Sequence, residues 1–273
     1  MRNCFTDVSS SAPWWDTYLQ SPPWNPISPP SLVGLCGFRL DMVQPDLLHV
    51  LNLGVGRMLA GSILTTVLKE KTVFPGGTIA EQLASATESF GLFCRSRGFQ
   101  PRMKKITLRR LNWKKDTYAE LTCSGYDNYT TCLWLQHTLE DHSGRYPEFS
   151  TLLWALNNAM SVLYGAGRFL TPDEKERVHV LGSTFLRSYM QCASRAVQEN
   201  KFLFRVTPKL HALQHVLQTR RTCNLAKFAT WMDEDFLRRM ARVLEITSSL
   251  TSQKRTLQRW LLQLPECWRK LSE

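Results

Sequence analysis

A chain of 273 residues that is 43% apolar and 11% aromatic, with nine Trp, can bury a sizeable core and is not a disordered segment. Its formal charge of +11 is uneven: residues 1–94 carry −2, 95–115 carry +9, 116–200 carry −4 and 201–273 carry +8, the electrostatic footprint of a phosphate-rich partner. No signal peptide or run long enough to span a bilayer stands out, and the eight cysteines form no C-x-x-C pair, so the expectation is no membrane partner and the reduced thiols of an intracellular protein, nuclear or cytoplasmic.

In chain order, residues 1–33 are rich in Pro, Ser and Trp and predict an extended segment, since six prolines in 9–33 preclude a regular helix. Leu35–Val43 is a short strand candidate. From Asp46 the apolar positions Leu47, Val50, Leu51, Met58, Leu59, Ile63 and Val67 recur at three and four, predicting a helix to about Lys71. Gly54 and Gly61 lie nearly on one face of it, where small residues permit close packing, and Asp46 and His49 also share a face. Phe74-Pro-Gly-Gly breaks the run and Thr78 starts a helix through about Arg97. In the basic stretch that follows, the alternation over Lys105–Leu111 fits a short strand or a loop. Further helices are predicted at about 129–141, 148–165, 172–199, 208–219, 233–248 and 252–263. Thr171-Pro-Asp-Glu has the features of a helix start, and Thr207 before Pro208 is a cap candidate. The fold class is therefore mainly α, one helical domain over 34–273 with at most a few short strands and no internal repeat.

Several enzyme classes lack their motifs. There is no G-x-x-x-x-G-K-[ST], no G-x-S-x-G and no dinucleotide fingerprint after a strand. His211 and His215 have the spacing of a zincin helix, but Ala212 stands where its catalytic glutamate belongs. His49, His211 and His215 together could suit Zn²⁺, with packing and hydrogen bonding as the competing reading. The carboxylates Asp233, Glu234 and Asp235 open an amphipathic run bearing Phe236, Leu237, Met240 and Val243, and either cap that helix or hold a hard cation.

Three short motifs remain, in a fixed order. They are Asp46-Leu-Leu-His49 with Leu53-Gly-Val, Pro208-Lys209-Leu-His211-Ala-Leu-Gln-His215, and Glu234 within Trp231-Met-Asp-Glu-Asp-Phe. In order and separation they resemble transposase families whose ribonuclease H-like core is interrupted by a large helical insertion, such as CACTA, hAT and Plavaka-type elements. The resemblance implies that Glu234 matches the last catalytic acid, which would help hold Mg²⁺ or Mn²⁺, and that Asp46 and His49 flank the active site. It also implies that Asp46, His49 and Glu234 approach within about 12 Å, the reach of two facing helices. The family's first two acids lie on upstream strands, and here Asp7, Asp16 and Asp41 are poor substitutes. The chain thus resembles the C-terminal part, or a degenerate copy, of such a protein, with Glu234 vestigial and no cofactor of its own. Two-metal phosphoryl chemistry needs several converging carboxylates.

The expected partner is DNA, with a homo-oligomer compatible with the same reading. Arg95, Arg97, Arg102, Lys104, Lys105, Arg109, Arg110, Lys114 and Lys115 form a basic segment without an acid, and Phe99 and Trp113 within it offer rings on which bases could stack. The competing reading is a solvated loop whose charge aids solubility. The alternative function is a non-catalytic helical nucleic-acid-binding or scaffold protein derived from a mobile element.

Overall fold

The computed structural model describes residues 35–37, 44–218, 223–247, 251 and 254–262. The 1–33 segment and most of the strand candidate at 35–43 lie outside them. The chain divides into two compact units, Met1–Ala229 and Thr230–Glu273. Both are helical, and among the described residues the only β pairing is an isolated antiparallel bridge between Phe169 and Cys223.

The first unit is built on a π-helical segment, π1 (Leu48–Val55), that runs into α1 (Gly56–Glu70). The 23 residues Leu48–Glu70 have the length and apolarity of a membrane span, contrary to the sequence expectation, but 83% of their most apolar 18-residue window is buried inside the helical body. Leu59, Ile63, Leu64, Val67 and Leu68 are fully buried, as expected of a helix apolar all round at the centre of a bundle. Against it pack α2 (Ile79–Ser96), α3 (Gly125–Leu139) and, at π1, the helix Pro208–Gln218 (α6), while α4 (Pro147–Gly165) packs on α3 and α5 (Pro172–Gln198) on α4 and α6. Trp134 of α3 is completely buried, stacked on Phe74 and edge-on to Phe90, with its indole N–H donated to Ser89 Oγ at 3.1 Å.

The helix starts follow from local chemistry. Thr78 caps α2 and Thr171 caps α5, each in a reciprocal box with the glutamate three residues on, as the sequence predicted for Thr171. Ser124 and Asp127 form a third such box, so α3 begins four residues before the expected Tyr129. Thr207 does not cap α6 with its side chain: its Oγ1 is buried with no hydrogen-bond partner among the described residues, and only its carbonyl joins the helix, accepting from Leu210 N at 2.9 Å. Lys105–Leu111 is a loop with a helical turn at its end rather than a strand.

Gly54 and Gly61 do permit close packing, though against different partners. A Cβ at Gly54 would lie 2.6 Å from Lys209 Cδ, and one at Gly61 would lie 2.6 Å from the Glu120 backbone. Four described cysteines, Cys94, Cys123, Cys132 and Cys192, are buried free thiols, and burial pushes Cys123 and Cys132 up to about 12.

In the second unit α7 (Trp231–Glu245) is followed by helical residues 254–262, and Phe236 meets Trp260 edge-on at 5.0 Å. Of the apolar positions expected on α7, Val243 is buried, whereas Phe236 and Leu237 are exposed.

The two kinds of helical glycine give opposite expectations. Gly61→Ala forces a methyl into backbone that cannot yield, and should cost about 1–3 kcal/mol in urea denaturation. At Gly91 the nearest atom is the flexible end of Arg95, 3.4 Å away, so Gly91→Ala should stabilise by about 0.5–1 kcal/mol. Equal effects of the two changes would contradict the close approach at Gly61.

Candidate functional site

Two of the three motif segments meet. Asp46 Oδ1 accepts from Leu48 N at 3.1 Å and its carbonyl accepts from Val50 N at 2.9 Å, so this carboxylate closes the start of π1. Its other oxygen contacts Nδ1 of His49, whose side chain is half exposed. Five residues after His49, Gly54 leaves helical geometry at φ −127° and ψ −106°, and the aliphatic stem of Lys209 lies over it. Lys209 Nζ then donates to Leu53 O at 3.4 Å, joining segments 156 residues apart. On the same helix as Lys209 and Pro208, the rings of His211 and His215 cross at 90° with their Nε2 atoms 2.9 Å apart. Such a bond needs one ring to donate and the other to accept. The π1 segment also buries Asn52, which donates to Tyr164 OH at 3.1 Å, and burial pushes that phenol up to about 12.

Glu234 sits near the start of α7, in the second unit, as the acid expected at a helix start. Its side chain lies outside the described residues, and so does its expected approach to Asp46 and His49. Among the described residues no three His, Cys, Asp or Glu side chains form a group able to hold a metal ion.

The basic segment is held by its backbone. Asp127, buried at the N-terminus of α3, accepts from Arg102 N at 2.7 Å and Met103 N at 3.1 Å through Oδ1, and from Ser124 N at 3.3 Å through Oδ2. Ile106 N donates to Thr87 Oγ1 on α2 at 3.0 Å, and Thr122 N donates to Arg110 O. Met103, Ile106 and Leu111 point inward and are almost wholly buried. Between these anchors the cations point outward. Arg95 and Arg97 end α2, and with Arg102, Lys104, Lys105, Arg109, Lys114 and Lys115 they are exposed; Arg110 is half-buried, donating to Thr122 O at 3.0 Å. None of the nine forms an ion pair with a carboxylate among the described residues.

Magnitudes explain why the loop stays down. Three buried side chains contribute roughly 1.5–3 kcal/mol each, and hydrogen bonds to a carboxylate about as much. Two exposed like charges about 8 Å apart repel in water by only about 0.5 kcal/mol. The rings fare less well as stacking surfaces than the sequence suggested. Phe99 packs against the core with its ring 6.0 Å from that of Phe93, and Trp113 is also packed against the core, so each offers only part of a face.

Asp127 was not singled out in the sequence, although Ser124-x-x-Asp127 carries the capping-box spacing. Asp127→Ala should lower stability by about 3 kcal/mol or more in denaturant, and Asp127→Asn, which keeps one acceptor oxygen, by roughly half that. Asp116→Ala, at an exposed position, should stay within about 0.5 kcal/mol. A loss that small for Asp127→Ala would mean that the loop is not held there.

Compared with known proteins, the chain matches no family model, no curated protein and no solved structure.

Proposed function

We propose that this chain binds DNA through the pinned segment 95–115 and carries out no strand chemistry of its own, as a catalytically incomplete relative of the transposases it resembles. The observation that carries the binding is the display of the cations. Eight of the nine are exposed on a backbone anchored to α2 and α3, with no described carboxylate paired to any of them. Like charges so placed repel, and a phosphate backbone relieves that repulsion while releasing its own counterions. The contacts are to phosphate rather than base edges, so the binding is independent of sequence.

Descent from a transposase draws its support from the motif junction. The Asp46–His49 and Leu53–Val55 segment lies against the Pro208–His215 helix through Gly54 and Lys209, as neighbouring parts of one site would. Within these residues only Glu234 stands at the position of a catalytic acid, and Mg²⁺ or Mn²⁺ would bind there only with further carboxylates supplied.

Fluorescence anisotropy with labelled duplex DNA over a salt series tests the binding. If about five of the nine cations reach phosphates, log K should fall against log salt with a slope near −4 to −5. Replacing Arg102, Lys104, Lys105 and Arg109 together by Ala should flatten it by about three units or more. No binding at low salt, or a slope untouched by the fourfold change, would instead favour a helical scaffold whose charged loop serves solubility.

A further inference from the structure

One end of the basic segment is not a convex surface but the wall of a groove. Trp113, Lys114 and Lys115 face a cavity of about 570 Å³, closed on its other sides by the end of α1 and by residues 200–203. That size is within the range of about 300–1,000 Å³ typical of ligand sites. Lys69, in the last turn of α1, and Lys201 face the same space, so four lysines from three separate parts of the chain converge on it.

The charge of the groove is unbalanced. Two carboxylates, Glu70 and Asp116, also line it. Glu70 is already engaged, accepting from Tyr146 OH at 2.8 Å and from Arg145 Nη2 at 3.4 Å. Lys201 pairs with Glu199 at 2.5 Å, whereas Lys69, Lys114 and Lys115 pair with no carboxylate among the described residues. A smaller cavity of about 200 Å³ adjoins the groove across Thr66, Glu70, Lys201 and Leu203. Its arginines are matched, Arg145 with Glu70 and Arg195 with Glu148 at 2.7 Å, so the unmatched positive charge is confined to the larger space.

The wall is rigid. Ala119 N donates to Phe202 O at 3.1 Å, Phe204 N to Ser62 Oγ at 2.8 Å, and Tyr189 OH to Arg205 O at 2.9 Å. Asn200 closes α5 in the left-handed conformation that asparagine tolerates, at φ +52° with Lys201 N donating to Ala196 O at 2.8 Å, whereas Phe204, next to the wall, is held at φ +50°, a region that bulky residues rarely occupy. Such strain persists only where the surroundings over-determine it, and it clusters at binding sites. The result is that Phe202 stays 42% exposed at the groove, beside Lys201.

We infer that this groove seats an unpaired nucleic-acid strand, with its phosphates on Lys69, Lys114, Lys115 and Lys201 and a base against Phe202. The inference rests on the nucleic-acid reading above and adds the form of nucleic acid that the site selects. A duplex presents phosphates on its outside with its bases stacked within, so it reaches the exposed cations of the loop but can place no base in a cavity. A single strand offers both, and stacking on an aromatic ring tolerates any base.

Binding of a short labelled oligothymidylate, a duplex of the same length and an abasic strand of the same length tests it on the whole chain. Lys69 and Lys201 lie outside the basic segment, so Lys69→Ala with Lys201→Ala removes groove charge without touching the loop. The double variant should weaken oligothymidylate binding about tenfold at low salt and flatten its salt slope by about 1.4 units, with duplex binding unchanged. Phe202→Ala should weaken the oligothymidylate by about tenfold or more and leave the abasic strand unaffected. The groove assignment is overturned if the double variant leaves oligothymidylate binding and its salt slope unaltered, or lowers strand and duplex equally. It is also overturned if Phe202→Ala weakens the abasic strand as much as the oligothymidylate. A native chain that binds neither nucleic acid would instead overturn the DNA reading itself.

Discussion

The buried carboxylate of Asp127 is the point on which the candidate interface depends. A charge taken out of water is costly unless it is well satisfied. This one accepts three backbone N–H groups, from Arg102, Met103 and Ser124, and sits where the α3 dipole is positive. The same group therefore starts a helix and ties down the entry to the loop. Without it, nine cations in sequence would have every reason to spread into solvent. With it, Met103, Ile106 and Leu111 are drawn inward and the charges between them are presented at fixed places.

Presentation matters because a basic segment can act in two ways. A mobile one loses conformational entropy when it settles on a phosphate backbone, and that loss is subtracted from its affinity. An anchored one loses much less. The groove beside Lys114 carries the same logic further: its wall, residues 200–203, runs from the end of α5 to the left-handed Phe204 and is fixed by Ser62, Tyr189 and Ala119. On that account the loop recognises phosphate wherever it occurs, and the groove adds a preference for strands with exposed bases.

Much of the fold was legible in the sequence because periodicity and capping are local. The starts at Thr78 and Thr171 predicted α2 and α5 within a residue or two, and the apolar spacing from Leu47 to Val67 predicted π1 and α1 together as one helix, without the π-helical turn or the break at Gly54. The start of α3 was less visible, since its first turns bury polar residues, Asp127, Asn128, Thr130 and Thr131, which break any apolar stripe. A hydroxyl before a proline was not enough to identify a cap at Thr207, because whether that side chain turns toward the helix is set by its burial. The site was legible only in part. The nine cations stood out in sequence, but their anchoring did not, and Lys69 and Lys201 join Lys114 and Lys115 only through tertiary packing. The junction of Gly54 with Lys209 likewise depends on two segments that no local pattern connects.

The cations of this segment stand on a fixed surface. Amide hydrogen exchange of the free protein measures that most directly, because Arg102, Met103 and Ile106 each donate to a side chain on α2 or α3. Their amides should be protected to about the degree of amides in the middle of α3. Exchange of all three at the rate of an unstructured chain would contradict the account and leave the segment a solvated loop.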